Sequence, residues 1–234
     1  MLRRICSATQ FMASKMPSEK GRHDDFSDLV VMLILASGLS SRLGQPKMLL
    51  PWTSGTILDT LISRILQETV QPLVVVSHPD LPLTVRDSRV NYVLNDSPHS
   101  GISHSIRLAV AFVQQKWPKA SVAVLLGDEP FVLGQDIHNM MFLFQQRPIS
   151  CHCLRPRYNQ IPGHPVMFDQ EALSWTEELT GDRGFGALWA QHANAACCVD
   201  LNVRDRPNPA IDIDTPTDYR MAYNLAVKME GHIS

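Results

Sequence analysis

The stretch LVVMLILASGLSSRLGQPK, residues 29–47, decides the fold class of this chain. Its first part, Leu29 to Ala36, is continuously apolar and has the length of a strand buried on both faces. A loop rich in glycine and serine follows directly and carries the cations Arg42 and Lys47. A buried strand that runs into such a loop is typical of an α/β protein that binds an anion at the carboxyl end of a parallel strand.

The glycines of this loop suit a phosphate chain. Without a Cβ atom, Gly38 and Gly44 would let backbone N–H groups turn toward phosphate oxygens, and Arg42 and Lys47 would neutralise the charge. The alternative is a flexible surface turn, which is common for loops of this composition. The loop lacks the Gly-Lys-Ser/Thr of a Walker A loop and the G-x-G-x-x-G of dinucleotide-binding proteins, so neither of those classes fits.

Outward from the loop, apolar runs of strand length alternate with amphipathic segments, which predicts βαβ units on a mainly parallel sheet. The predicted strands are 29–36, 73–77, 90–94 and 122–126, and the predicted helices are 56–68, 102–116 and 135–145. After Pro148 the pattern loosens, and we expect this half to form a cap on the sheet. Its predicted elements are extended segments at 149–154, 163–168 and 196–201, short helices at 171–179 and 185–192, and a closing helix at 216–228 with Thr215 as its N-cap.

Composition excludes several classes of function. Hydrophobic residues make up 44%, charged residues 19%, and the net charge is −2, with no run of five basic residues, so no nucleic-acid partner is predicted. No apolar stretch reaches about 18 residues, so no membrane association is predicted. Residues 1–28 lack the apolar segment of a secretory signal and are predicted to be a disordered extension. Five cysteines without disulfide-framework spacing predict reduced thiols in a cytoplasmic protein.

The loop matches G-x-S-x-R-x-G-x-x-K at every fixed position and resembles the signature loop of the molybdenum cofactor nucleotidyltransferases, the family of the molybdopterin cytidylyl- and guanylyltransferases. The resemblance covers the chain from about Leu29 onward. It implies a three-layer, Rossmann-like (GT-A-like) nucleotidyltransferase fold with a mainly parallel mixed sheet. It also implies transfer of a nucleoside monophosphate from an NTP to the phosphate of molybdopterin, with release of pyrophosphate. Residues 29–148 would be the NTP-binding half, and 149–234 the acceptor-binding half, of a single domain.

The resemblance also implies roles for individual residues. Gly101 and Ser105 match a Gly-x-x-x-Ser stretch at a helix start that meets the base and ribose, although helix capping would explain them too. The implied nucleotide-binding residues are Leu35, Ala36, Ser37, Gly38, Ser40, Arg42, Gly44, Lys47, Gly101 and Ser105. Arg42, Lys47 and Asp128 would be catalytic.

The segment Gly127-Asp128-Glu129-Pro130 resembles the family's G-D-x-P magnesium motif, and an Asp at a strand end can hold a hard cation; the alternative is a type I turn. The segment from Asp212 to Pro216 resembles the family's D-I-D-T-P, where Asp212 and Asp214 would point the same way. The alternative for Asp214 is a helix-dipole role. We therefore expect a Mg²⁺ cofactor held by Asp128 and Asp214. Glu129 stands where the family more often has Gln or Met. Two roles stay open for it: an outer ligand of the metal, or a side chain that points away from the metal.

On the acceptor side, Gly163 and His164 match a G-H-P-V segment, and Asp182 lies in a G-D-x-G turn. His164 could otherwise be a hydrogen-bonded turn residue. A zinc site at Cys151-His152-Cys153 is not expected, because in a strand the two cysteines face one side and the histidine the other.

Donor choice depends on Ser37, which stands where the family usually has Ala or Gly. A Cβ atom at this position leaves less room for a purine, so the sequence favours CTP over GTP. The partners implied are the NTP, a molybdopterin-type acceptor and, transiently, a molybdenum enzyme. Two alternatives stay open: transfer from GTP or another NTP to a different phosphorylated acceptor such as a sugar phosphate, and a non-catalytic molybdenum cofactor-binding chaperone.

Overall fold

The computed structural model describes residues 29–38 and 46–230, so the predicted extension at 1–28 lies outside them. The strands are β1 (Val30–Ala36), β2 (Pro51–Trp52), β3 (Gly55–Thr56), β4 (Leu73–Ser77), β5 (Val90–Leu94), β6 (Ser121–Leu126), β7 (Cys153–Tyr158), β8 (Ile161–Pro162), β9 (Val166–Phe168) and β10 (Ala196–Leu201). The helices are α1 (Ile57–Glu68), α2 (Ile102–Lys116), α3 (Gly134–Gln145), α4 (Gln170–Ser174), α5 (Phe185–Gln191) and α6 (Pro216–Glu230), with 3₁₀ turns at Lys47–Leu49, Pro98–Ser100 and Trp175–Glu178.

The central sheet has the strand order β10-β7-β9-β6-β1-β4-β5, and β8 pairs with β7. Strand β1 runs parallel to both β4 and β6, and β5 is parallel to β4, whereas β9 is antiparallel to its neighbours β6 and β7. The prediction of a mainly parallel mixed sheet is confirmed. Because β1, β4, β5 and β6 run the same way, the loops that follow them meet at one edge of the sheet.

Helices cover both faces of the sheet, which confirms the three-layer prediction. Alternate residues of β1 serve different faces: Met32 and Ile34 pack in the core beneath α1 and α3, whereas Leu33 and Leu35 pack in the core beneath α2, α4 and α5. A smaller cluster joins α6 to the β2–β3 hairpin around Trp52. The ring of Tyr219 lies near that tryptophan, and its hydroxyl donates to the carbonyl of Pro51 at 2.7 Å.

The second half of the chain is not a cap, which corrects the sequence-based expectation. Strands β7, β9 and β10 continue the same sheet, with β9 inserted between β6 and β7 through pairs such as Val124 with Val166. The sequence pattern typical of strands was weak in this half, because β9 has only three residues and β7 contains Pro156, a residue that is uncommon inside a strand. The strand expected at 149–154 lies instead at Cys153–Tyr158, and Ile149 is 97% exposed.

Most other boundaries agree with the predictions. Helix α2 is as predicted, and Thr215 does cap α6: its Oγ1 accepts from the N–H of Asp218, while the Asp218 carboxylate accepts from the Thr215 N–H at 2.8 Å. The sulfur atoms of Cys151, two residues before β7, and Cys197 of β10 are paired across 46 residues of chain, which the prediction of unpaired, reduced thiols did not anticipate. Within the part of the chain that the structure describes, every helix falls short of the length or the apolar character that a membrane span requires.

Candidate active site

A cavity of about 370 Å³ opens at the edge of the sheet where the parallel strands end. It collects residues that are far apart in the chain. Those predicted to contact the nucleotide or the metal and found in its wall are Leu35, Ser37, Gly38, Lys47, Gly101, Ser105 and Asp128. Ala36 does not line it, because its side chain is buried against Gly127. The predicted residues Ser40, Arg42 and Gly44 lie outside the described residues.

Two carboxylates converge on the ammonium group of Lys47. Its Nζ contacts the Asp128 carboxylate directly and lies 3.2 Å from Oδ1 of Asp214. Burial lowers the pKa of this lysine, but attraction and hydrogen bonds to Asp128 and Asp214 outweigh that effect and raise the pKa above 10.5. The lysine is therefore held as a cation between the two predicted metal ligands.

Gly127 lets the 3₁₀ turn Lys47–Leu49 pack close to the segment that carries Asp128. A Cβ atom on Gly127 would lie 2.8 Å from the sulfur of Met48, the residue after Lys47, so a larger side chain would displace the Met48 side chain. The N–H of Gly127 also donates to the carbonyl of Leu35 at 3.0 Å, which extends the β1–β6 pairing to the loop. The G-D segment is thus built to present Asp128 to Lys47.

Asp214 is positioned by the start of α6. Asp218 and Thr215 form the reciprocal cap of that helix, so the capping role is filled without Asp214. Burial, followed by repulsion from Asp214 and Asp128, raises the pKa of Asp212. The expectation that Asp212 and Asp214 point the same way stays a prediction.

The donor set fits a magnesium ion that is shared with a substrate. Among residues 29–38 and 46–230, no group of three or more His, Cys, Asp or Glu side chains is arranged to hold a metal. Mg²⁺, however, commonly takes one or two carboxylates from the protein and completes its octahedron with water and phosphate oxygens. Asp128 and Asp214 could supply such a pair of oxygen ligands once Lys47 turns away from them.

The cavity wall contains a hydrogen-bonded chain of polar side chains that the sequence analysis missed in part. Ser37 Oγ lies 2.6 Å from Ser105 Oγ, and Nδ2 of Asn95 donates to Ser105 Oγ at 2.9 Å. Asn95 is fully buried. Its position directly after β5, at the same sheet edge as Ser37 after β1, was the signal that could have identified it.

The G-D-x-G turn belongs to this cavity as well. Gly101 has φ +84°, a conformation that favours glycine, and a Cβ atom there would overlap the carbonyl of Gly181 and lie 2.8 Å from Oδ1 of Asp182. The N–H of Ser103 donates to the same Gly181 carbonyl at 3.1 Å. Asp182, expected on the acceptor side, therefore lines the wall shared with Ser105.

His164 and Gly163 stand apart from the cavity wall. Nδ1 of His164 lies 2.9 Å from Oε1 of Glu129, so Glu129 is engaged with this histidine. A Cβ atom on Gly163 would lie 2.7 Å from the ring of Tyr158, whose hydroxyl donates to the His164 carbonyl. Packing alone therefore accounts for Gly163, and His164 has the hydrogen-bonded environment of the alternative interpretation.

Comparisons with known proteins agree with this arrangement. The model of the MobA-like NTP transferase domain matches residues 32–196. Molybdenum cofactor cytidylyltransferase of Escherichia coli (strain K12) is 33% identical over 193 residues, which are 80% of this chain and 92% of that protein. Probable molybdenum cofactor guanylyltransferase of Bacillus thuringiensis (strain Al Hakam) is 32% identical over 88 residues, covering 36% of this chain and 44% of that protein.

Among solved structures, Rv0371c from Mycobacterium tuberculosis H37Rv superposes with a TM-score of 0.68 at 25% identity, covering 84% of this chain and 98% of that one. Its agreement supports the Rossmann-like architecture described above. Because the family model spans more than half of the chain and the Escherichia coli relative is matched over most of its length, this chain belongs to the MobA-like NTP transferase family and is a nucleotidyltransferase.

Proposed function

We propose that this enzyme transfers CMP from CTP to the phosphate of a molybdopterin-type acceptor and releases pyrophosphate. The observation that carries the proposal is the convergence of Lys47, Asp128 and Asp214 at the mouth of a cavity lined by serine and glycine. The acceptor is inferred from the name of the Escherichia coli relative, molybdenum cofactor cytidylyltransferase. A product bound this way would then pass to a molybdenum enzyme through a transient contact.

The chemistry needs alignment more than activation. An acceptor phosphate oxygen attacks the α-phosphorus in line, the new P–O bond forms, and the bond to the β-phosphate oxygen breaks, so that pyrophosphate leaves. A phosphate monoester is already an anionic nucleophile, so no covalent enzyme intermediate is required. The site must place the two anions together and offset their repulsion.

Lys47 is suited to that electrostatic task. Its ammonium group lies between the carboxylates of Asp128 and Asp214 and offsets part of their negative charge. When a triphosphate enters, the same group can turn to the phosphate oxygens, which frees the two carboxylates. A Mg²⁺ ion held by Asp128 and Asp214 would supply positive charge to the triphosphate and the leaving pyrophosphate.

The preference for CTP rests on Ser37. Its side chain is 7% exposed and turns toward Ser105, so its Cβ atom and hydroxyl fill space at the wall of the cavity. A pyrimidine needs less room there than a purine. We expect a ratio of kcat/KM values, CTP over GTP, of about ten- to two-hundredfold, the discrimination that a contact of this size commonly gives.

A competition assay tests the proposal. The protein would be mixed with Mg²⁺, molybdenum cofactor and equal concentrations of radiolabelled CTP and GTP, and pyrophosphate and labelled product would be measured. We expect pyrophosphate release with a cytidylylated product in excess, and a smaller preference in Ser37→Gly. A guanylylated product in excess would reverse the donor assignment. Absence of pyrophosphate release with either nucleotide would support the non-catalytic chaperone instead.

A further inference from the structure

The buried side chain of Asn95 stands behind the wall of the cavity with a fixed orientation. Its Oδ1 accepts from the N–H of Ser97 at 2.9 Å, and its own N–H donates to the carbonyl of Ser77 at 2.9 Å. Because the amide oxygen is held by a backbone N–H, Nδ2 must be the atom that faces Ser105. It donates to Ser105 Oγ at 2.9 Å. Asn95 can therefore only give a hydrogen to this serine.

This direction of donation decides what the cavity offers a ligand. The hydroxyls of Ser37 and Ser105 lie 2.6 Å apart, so one of their two hydrogens lies between the two oxygens. Neither hydroxyl has to give a hydrogen to Asn95, because Asn95 supplies its own. Among residues 29–38 and 46–230, no acceptor other than the serine pair takes the remaining hydrogen, and both serines line the cavity. The pair therefore presents an O–H donor to whatever binds there.

We infer that Asn95 is a positioning residue that sets this polarity, so that the serine pair donates a hydrogen bond to a carbonyl oxygen of the bound nucleobase. The inference rests on the proposed function in one respect, namely that the ligand of the cavity is a nucleoside triphosphate. Asn95 acts through Ser105 and does not itself line the cavity.

Asn95→Asp tests the inference, since it replaces the amide donor by an acceptor of nearly the same shape. The introduced carboxylate would accept a hydrogen bond from the Ser105 hydroxyl, and the Ser105 oxygen would accept one from the Ser37 hydroxyl. Neither hydroxyl would then have a hydrogen left to donate to the ligand. We expect the Kd of CTP, measured by calorimetry, to rise about tenfold, the size of one hydrogen bond lost and left unmatched.

A double-mutant cycle separates this effect from simple charge repulsion. In a Ser105→Ala background the link between residue 95 and Ser37 is already broken, so Asn95→Asp should weaken CTP binding at least about threefold less than in the wild type. Equal losses with and without Ser105 would overturn the inference. Asn95→Ala removes the amide donor without introducing an acceptor or a charge, so the serine pair keeps a hydrogen for the ligand and the Kd of CTP should rise clearly less than in Asn95→Asp; an equal or larger rise would contradict the inference.

Asn91, on the strand β5 that leads to Asn95, provides a matched control. Its Nδ2 donates to the carbonyl of Leu73, and its Oδ1 accepts from Lys116, all away from the cavity. Asn91→Asp should leave the Kd of CTP unchanged. Wild-type protein that binds CTP without transferring it would contradict the proposed function and leave the role of Asn95 intact, whereas wild-type protein that binds neither CTP nor GTP would overturn both.

Discussion

At the scale of single residues, the defining feature is a lysine shared by two carboxylates. Lys47 connects the end of β6 to the segment before α6, and its ammonium group balances Asp128 and Asp214 in a partly buried site. Removing Lys47 takes away the cation that both carboxylates contact, which is costly where water is scarce. Its substitution should therefore change both local electrostatics and catalysis.

Lys47→Ala should lower turnover by roughly a hundredfold or more, because it removes a cation that faces the charge of the transition state. Steady-state rates of pyrophosphate release would measure the loss. Lys116→Ala is the matched control: this lysine lies at the end of α2, over the ring of Trp117, at the opposite end of the sheet. Similar rates for Lys47→Ala and the wild type would refute the assignment of Lys47.

Asp128→Ala should abolish activity at ordinary Mg²⁺ concentrations, since alanine cannot ligate a hard cation. Calorimetric titration with Mg²⁺ and CTP should show weaker binding of the metal–nucleotide complex. Asp87→Ala serves as control, because Asp87 pairs with Arg89 before β5, away from the cavity, and should leave binding unchanged. Undiminished binding in Asp128→Ala would count against a metal site at this aspartate.

At the scale of elements, the site is held by the beginnings of helices. The start of α2 packs against the Gly181–Asp182 turn, and the start of α6 carries Asp214. The β2–β3 hairpin contributes indirectly, because Trp52 and Pro51 anchor Tyr219 of α6. Local capping and turn geometry therefore determine how the charged residues meet.

Gly101→Ala should destabilise the fold by about 1–3 kcal/mol, because a Cβ atom there would overlap Gly181 in a backbone conformation that alanine rarely adopts. The displaced turn should also weaken CTP binding. Gly186→Ala, in α5, is the control: no atom lies within 4 Å of its added Cβ, so stability should be unchanged or rise by about 0.5–1 kcal/mol. Chemical denaturation would compare the two, and equal stabilities would contradict this account.

Thr215→Ala should cost about 1 kcal/mol of unfolding free energy, because it removes the hydroxyl that accepts from the Asp218 N–H at the start of α6. The loosened end should also raise the KM for the metal–nucleotide complex through Asp214. Thr217→Ala is the control. Thr217 lies two residues further along the chain and is exposed, so its substitution should change the unfolding free energy by less than about 0.5 kcal/mol. Thermal melts and rate measurements on both variants decide whether the cap matters.

At the scale of the whole molecule, the two halves of the chain share one sheet. Strand β9 from the second half pairs with β6 from the first, and the core beneath α2 also contains Leu173 and Leu188 of α4 and α5. Neither half keeps its buried face without the other. The proposed nucleotide and acceptor halves are therefore parts of one packed body.

We expect the sheet to unfold in one cooperative transition. Hydrogen exchange followed by mass spectrometry in denaturant should give the same midpoint for peptides of β4 and of β10. A fragment of residues 29–148 should lack native structure by circular dichroism, because β6 would expose the edge that pairs with β9. Two separate midpoints, or a folded fragment, would contradict this view.

Patterns within short stretches of sequence were enough to predict much of the fold. The apolar run of β1 and the helical period of α2 follow from the chain itself, as does the cap at Thr215, because neighbours in sequence determine each of them. The placement of β7 and β9 did not follow, because these short strands become stable only through pairing with distant partners.

The sequence by itself determined the family and most of the charged residues of the site, since spacing within one loop and short motifs at strand ends fix which chemical groups are available. Only the tertiary structure decided how they pair. Lys47 meets Asp214 across 167 residues of chain, Asn95 just after β5 donates to Ser105 of α2, and Asp182 lines the same cavity as Ser105. Such contacts depend on the order and register of strands in the sheet, which no local pattern encodes.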